Sequence, residues 1–185
     1  MKKVIMLAMA LMLVAGTVSA GPVAYIGLYA DAGHAVKEFI NPGGFNMFTL
    51  WTWVLPSDNG AMCAEYQIVP PTTSGLIIQA AEVNPDVTVS MGSAIGAPGA
   101  SVCFGACQTD WFWTFRVPIY STDTVPGFFV LAPHVDAGGP QVANCILPDY
   151  PIEPATPFTK FGLNQDGVVA TGTASWGAVK SLINN

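Results

Sequence analysis

The chain has 185 residues, 51% of them apolar and only 10% charged, and 12 acidic residues against six cationic ones leave a net charge of −6. That balance excludes a disordered polyelectrolyte, which needs low hydrophobicity and high charge, and it repels nucleic acid and anionic membranes. The length suits one domain with a substantial core.

Lys2 and Lys3 precede an apolar run from Val4 to Val14, and Val18-Ser19-Ala20 ends in small residues. This is the pattern of a secretory signal peptide cut after Ala20. The run is shorter than the about 20 apolar residues of a spanning helix. No cysteine stands at the cleavage point for a lipid anchor, and no later stretch is long and apolar enough to cross a membrane. The predicted organisation is a signal peptide over 1–20, a β-sandwich over 21–173 and a short amphipathic tail over 174–185. The predicted location is secreted, either periplasmic or extracellular.

Val23 to Ala30 reads as a first strand, followed by a polar loop from Asp31 to Glu38 and a turn at Asn41-Pro42-Gly43-Gly44. Phe45 to Leu55 is a long strand. Alternation places Met47, Trp51, Trp53 and Leu55 on one face and Phe48, Leu50 and Val54 on the other. Pro56-Ser57-Asp58-Asn59-Gly60 is the clearest turn, and Ala61 to Val69 is the return strand, stopped by Pro70-Pro71. Leu76 to Val83 is compatible with a strand or one helical turn. Val87 to Met91 and Ala100 to Phe104 are short strands on either side of a Gly/Ala/Pro loop.

From Trp111 to Tyr120 a strict period of two puts Trp111, Trp113, Phe115, Val117 and Ile119 on an apolar face, with Phe112, Thr114 and Arg116 opposite. Gly127 to Ala132, Gln141 to Ile146 and Phe158 to Leu163 complete the strands. Between the last two, Pro148, Pro151, Pro154 and Pro157 predict an extended surface segment. A turn at Asn164-Gln165-Asp166-Gly167 would return the chain through Val168 to Thr171. Ser175, Trp176, Val179, Leu182 and Ile183 have the spacing of an N-capped amphipathic helix, too short to stand alone. About eight or nine short strands at turn intervals, without βαβ alternation, predict an all-β sandwich of the jelly-roll or immunoglobulin-like kind.

Four cysteines in a secreted chain predict two disulfides. Of the three pairings open to them, Cys63–Cys103 with Cys107–Cys145 is the expected one. Their spacing does not match a zinc ribbon or knuckle.

The chemistry of catalysis is sparse. No nucleophile elbow, metalloprotease helix, phosphate-binding loop or dinucleotide fingerprint occurs. The acids are scattered singly, so no carboxylate pair is evident. His34 and His134 are lone loop histidines, each near an aspartate, and solvated histidines are the commoner outcome. No metal or cofactor is predicted. Asp58-Asn59 and Asp166 have calcium-compatible chemistry but are typical turn residues. Trp51 and Trp53 share a strand face, as do Trp111 and Trp113. Exposed indoles in a row would bind a ligand such as a sugar ring, whereas tryptophans amid Phe115, Val117 and Ile119 are more often core.

One stretch also carries a resemblance. A strand with Glu65-Tyr66-Gln67-Ile68, a Pro70-Pro71 break, a Gly-rich loop over Gly92 to Gly99 and an aromatic strand over Trp111 to Tyr120 follow in order. This layout, from Phe45 to Pro154, resembles uncharacterised secreted proteins of environmental bacteria and, more distantly, the cohesin-like sandwich. Cohesins bind protein partners in cellulose-degrading complexes and their relatives bind carbohydrate. The resemblance therefore implies a recognition domain with a protein or glycan partner. It carries over no binding residue, and the cysteines depart from the usual cohesin pattern.

The expected protein is thus a secreted, disulfide-stapled, non-catalytic binding or assembly module at the cell surface or in the extracellular matrix. Its candidate ligand-binding residues are Trp51, Trp53, Trp111 and Trp113. The alternatives are a self-associating structural surface protein, and an extracellular hydrolase whose site assembles only in three dimensions.

Overall fold

The computed structural model describes residues 23–157 and 160–165. The predicted signal peptide, the Val168 to Thr171 return and the amphipathic tail lie outside the described residues. Among those described there is no helix. Fourteen strands follow in order: β1 (Tyr25–Tyr29), β2 (Phe39–Ile40), β3 (Asn46–Leu55), β4 (Ala61–Val69), β5 (Leu76–Ile78), β6 (Glu82–Val83), β7 (Val87–Gly92), β8 (Ala100–Gln108), β9 (Phe112–Ser121), β10 (Gly127–Ala132), β11 (Gln141–Ala143), β12 (Ile152–Pro154), β13 (Thr156–Pro157) and β14 (Lys160–Leu163).

The strands form two sheets packed as a sandwich. The first runs β13-β1-β3-β9-β5, with β6 also on β9. The second runs β12-β11-β4-β10-β14-β2, with β8 on β4 and β7 on β8. Between them lies one core. The first sheet contributes Ile26, Leu28, Phe48, Leu50, Val54, Val117 and Ile119, and the second contributes Tyr66, Ile68, Val102, Phe129, Phe161 and Leu163. The predicted fold class holds because period-two alternation on β3, β4 and β10 gives each strand one apolar inner row.

Both disulfides form as expected. Cys63 and Cys103 face each other across paired β4 and β8, with Cα atoms 4.0 Å apart. Cys107–Cys145 ties the end of β8 to the loop after β11, Cα to Cα 5.8 Å. It packs on the Pro56–Gly60 turn, where Gly60 sits at φ 70°. A Cβ there would run into Cys107 Sγ and lie 2.8 Å from Cys145 Sγ.

Several elements differ from expectation. The strand predicted to carry Cys145 ends at Ala143, because the Asn144 carboxamide accepts the Ile146 amide at 2.9 Å and turns the chain. The proline-rich segment is not free polyproline: it supplies β12 and β13, which flank the sheets at their edges, where prolines are tolerated. Leu76 to Val83 resolves into two short strands, β5 and β6, both on β9.

Candidate binding face

The outer face of the first sheet is where the predicted site residues converge. On β3 the regular alternation sends Phe48, Leu50, Thr52 and Val54 inward and Trp51, Trp53 and Leu55 outward. On β9 strict alternation fails. Trp53 pairs with Trp113 but Thr52 pairs with Phe115, so Thr114 is an extra residue, a β-bulge. Thr114 and Phe115 both point inward. The predicted common face of Trp111, Trp113, Phe115, Val117 and Ile119 is therefore corrected: Trp113 lies outward with Arg116, while Phe115, Val117 and Ile119 are core. The indoles are half-buried on the outside of the sandwich and are not core residues.

Strand register completes the face. Tyr25, Gly27 and Tyr29 of β1 stand opposite Leu55, Trp53 and Trp51. Gly27 leaves room for its neighbours, since a Cβ there would lie 2.8 Å from a ring carbon of both Tyr25 and Tyr29. The rings meet edge to face or offset. Trp51 lies 6.4 Å from Trp53 and 5.3 Å from Trp113, and Trp111 lies 6.0 Å from Tyr25 and 6.1 Å from Tyr29. The Arg116 guanidinium covers both Trp51 and Trp113, at 5.5 and 5.9 Å from their centroids. Its Nε donates to Glu82 Oε2 at 2.8 Å, and Nη2 donates to the same oxygen.

His34 belongs to this face. Its imidazole stacks on Trp111 at 4.5 Å and 15°, and stands at steep angles to Trp53, 4.8 Å away at 64°, and to Tyr29, 6.0 Å away at 78°. Asp31 builds the loop that delivers it, accepting the amides of Gly33 at 3.0 Å, Ala35 at 3.0 Å and Val36 at 2.7 Å. Partial burial works against the Asp31 carboxylate, but those amides and nearby His34 hold it below the usual aspartate range. Burial raises the Tyr25 phenol, reinforced by the neighbouring Tyr29 hydroxyl, and burial raises Tyr29 as well. Beside His34 a shallow groove of about 400 Å³ is lined by Tyr25, Tyr29, Lys37, Leu55 and Trp111. Trp53 Nε1 is buried and has no hydrogen-bond partner among the described residues. Further along the sheet, Met47 and Ile77 are 61% and 56% exposed on either side of Tyr120.

The structure thus brings Trp51, Trp53, Trp111 and Trp113 together and adds Tyr25, Tyr29, His34 and Arg116. The tyrosines were legible as the alternate residues of Tyr25-Ile26-Gly27-Leu28-Tyr29. Nothing local marks His34. His134 sits elsewhere, in the loop after β10 and beside β4 of the second sheet, where its Nδ1 accepts the Asp136 amide at 3.3 Å and stands 3.6 Å from Glu65 Oε1. Asn59 of the candidate calcium turn donates to Glu153 at 2.8 Å, a structural cross-link. Asp166 lies outside the described residues. Among the described residues no group of three His, Cys, Asp or Glu side chains is placed to hold a metal ion, and no helix is long and apolar enough to cross a membrane.

No family model matches this sequence, and no curated protein matches it. Solved cohesins do match its fold. One is the sixth cohesin of scaffoldin B from Acetivibrio cellulolyticus, solved in complex with a Cel5 dockerin. It is 12% identical, covers 78% of this chain and 100% of its own, and has a TM-score of 0.52. Another is a type I cohesin–dockerin complex from Clostridium thermocellum. It is 8% identical, with 77% of this chain and 98% of that one covered, at a TM-score of 0.51. The chain has a cohesin-like β-sandwich fold, and at these identities the likeness is one of fold alone.

Proposed function

We propose that this chain is a non-catalytic binding module of an oxidising, extracytoplasmic compartment, and that it recognises a protein partner through the outer face of its first sheet. The observation that carries this reading is that the sheet is apolar on both sides. Its inner row fills the core, and its outer row is Tyr25, Trp51, Trp53, Trp111 and Trp113 with Arg116 laid across them. An outer sheet face facing only water is normally polar. Tryptophan, tyrosine and arginine together are the composition of protein-interface hot spots.

The two solved cohesins of the same fold are complexes with dockerins, which supports assembly over catalysis. The paired cysteines support an oxidising compartment. A protein partner is favoured over a glycan because the indole faces are already taken. Arg116, held by Glu82, covers Trp51 and Trp113. A sugar platform needs those faces open.

The test places a photo-crosslinking residue at Thr49, on the outer face, and separately at Thr88, on the second sheet, in the full chain in its own cells. The expected result is a discrete protein adduct from position 49 that is absent from position 88 and lost on Trp51→Ala. Equal adducts from both positions would overturn the assignment of the face. An adduct consisting of a second copy of this chain would replace it with self-association, which the exposed Met47 and Ile77 would serve. Binding to an immobilised glycan panel without any protein adduct would replace it with the glycan reading.

A further inference from the structure

His34 fills a site. Its imidazole lies flat on one ring and is walled by two others, Trp111 beneath at 4.5 Å and 15°, Trp53 at 64° and Tyr29 at 78°. Three aromatic walls around one planar, cation-capable group form an aromatic cage, an arrangement that binds cations through the ring quadrupoles. The group that fills it is held at a cost. His34 has φ 45°, in the left-handed region that residues with a Cβ seldom occupy. Its loop is fastened mainly to itself, by the Asp31 carboxylate and by the Ala30 amide bonded to the Val36 carbonyl at 2.9 Å. A loop of this kind can leave without disturbing the core.

The surroundings select the sign of an incoming group. Asp31 is held anionic beside the imidazole. Asp110 accepts the Trp111 amide at 2.7 Å, and the chain as a whole has a net charge of −6. Against these acids stands one lysine, Lys37, which lines the adjoining groove. A flat cation that stacks on an indole and is drawn to acids is a guanidinium.

We propose that the cage of Trp111, Trp53 and Tyr29, occupied here by His34, is the subsite that receives an arginine side chain of the protein partner, the guanidinium taking the place of the imidazole. This rests on the reading of the outer face as the recognition surface and names the chemistry of one contact within it.

The test uses N-acetylarginine amide as the probe and N-acetylcitrulline amide as its uncharged isostere. Both are titrated into the full chain while tryptophan fluorescence is followed. His34→Gly empties the cage and suits the positive φ, so the fold is retained; His34→Ala serves as a second vacating variant. The expected result is half-saturation by the arginine probe at a concentration about tenfold lower in His34→Gly than in the unmodified chain. The citrulline probe stays at the unmodified level, and His34→Gly with Trp111→Leu loses the gain. Vacated variants that bind no better than the unmodified chain, or that take citrulline as well as arginine, overturn the proposal. The Thr49 crosslink is independent of His34, so an adduct that persists in that case leaves the recognition face standing and removes only the arginine subsite.

Discussion

The hydroxyl of Tyr66 on β4 hydrogen-bonds the hydroxyl of Thr114 on β9, joining the two sheets through the middle of the core. Both residues are fully buried. Thr114 is the extra residue of the β9 bulge, and its hydroxyl also lies 3.5 Å from the Thr52 carbonyl. The bond therefore holds the residue that turns Trp113 outward and Phe115 inward. A buried hydrogen bond of this kind contributes about 0.5–1.5 kcal/mol, and more is lost when one partner is orphaned. Each single substitution orphans the other hydroxyl, so Tyr66→Phe and Thr114→Val are each expected to lower the unfolding free energy of the oxidised protein by about 1–3 kcal/mol. In a double-mutant cycle by denaturant titration the two losses should not add. Additive losses would mean that the hydroxyls do not act on each other.

Burial pushes the Tyr66 phenol up to about 12, against smaller opposing contributions from the Thr114 and Thr52 oxygens. A phenol raised in the folded state contributes stability that is fully present below its ordinary value near 10 and lost as pH rises towards 12. Stability should be level from neutral pH to about 10 and then fall. Tyr66→Phe should make that fall shallower, leaving the part contributed by the raised Tyr25 and Tyr29 phenols, as read from denaturation midpoints across the alkaline range.

Asp31 shifts the other way. Its carboxyl is lowered in the folded state, so the loop it organises is complete above the ordinary aspartate range and is lost as pH falls through the lowered value. The NMR shifts of the Gly33, Ala35 and Val36 amides, which report their bonds to the Asp31 carboxylate, should be constant from neutral pH down to about 4 and change below it. Asp31→Asn should show the acid-form spectrum already at neutral pH. A pH-independent spectrum would remove Asp31 as the loop's anchor.

Gly60 combines a positive φ with contact to the Cys107–Cys145 bridge. Gly60→Ala meets both a strained backbone and the two sulfurs. It should destabilise the protein by more than about 1 kcal/mol and slow the closing of that bridge during oxidative refolding. Mass spectrometry of trapped thiols would show Cys63–Cys103 formed and Cys107 still free. Equal rates for both bridges would contradict this.

The Arg116–Glu82 pair is solvent-exposed, with 42% and 53% of the side chains accessible. Glu82→Gln should change stability by less than about 1 kcal/mol. Arg116→Ala removes the guanidinium from Trp51 and Trp113, and the oxidation of those two indoles should quicken while that of Trp111, under His34, is unchanged. Uniform oxidation of all the tryptophans would place Arg116 outside the face.

Much of this protein is determined by local pattern. The alternation of Phe48, Leu50 and Val54 against Trp51, Trp53 and Leu55 needs no partner to be read, because the side-chain period of a strand is two wherever the backbone is regular. The turn at Pro56 to Gly60 carries its own chemistry, and the cysteine count in an oxidising context implies two bridges. The phase of β9 was not legible. Trp111 to Ile119 alternates without a break, and nothing in that stretch says that Thr114 turns inward beside Phe115. That depends on the Tyr66 hydroxyl, which comes from the other sheet. The same holds for His34, a polar loop residue by sequence, whose stacking partners Trp53 and Trp111 come from distant parts of the chain. Local periodicity sets which residues can face together. A one-residue bulge and a loop held by one carboxylate, both long-range or conformational features, decide which ones do.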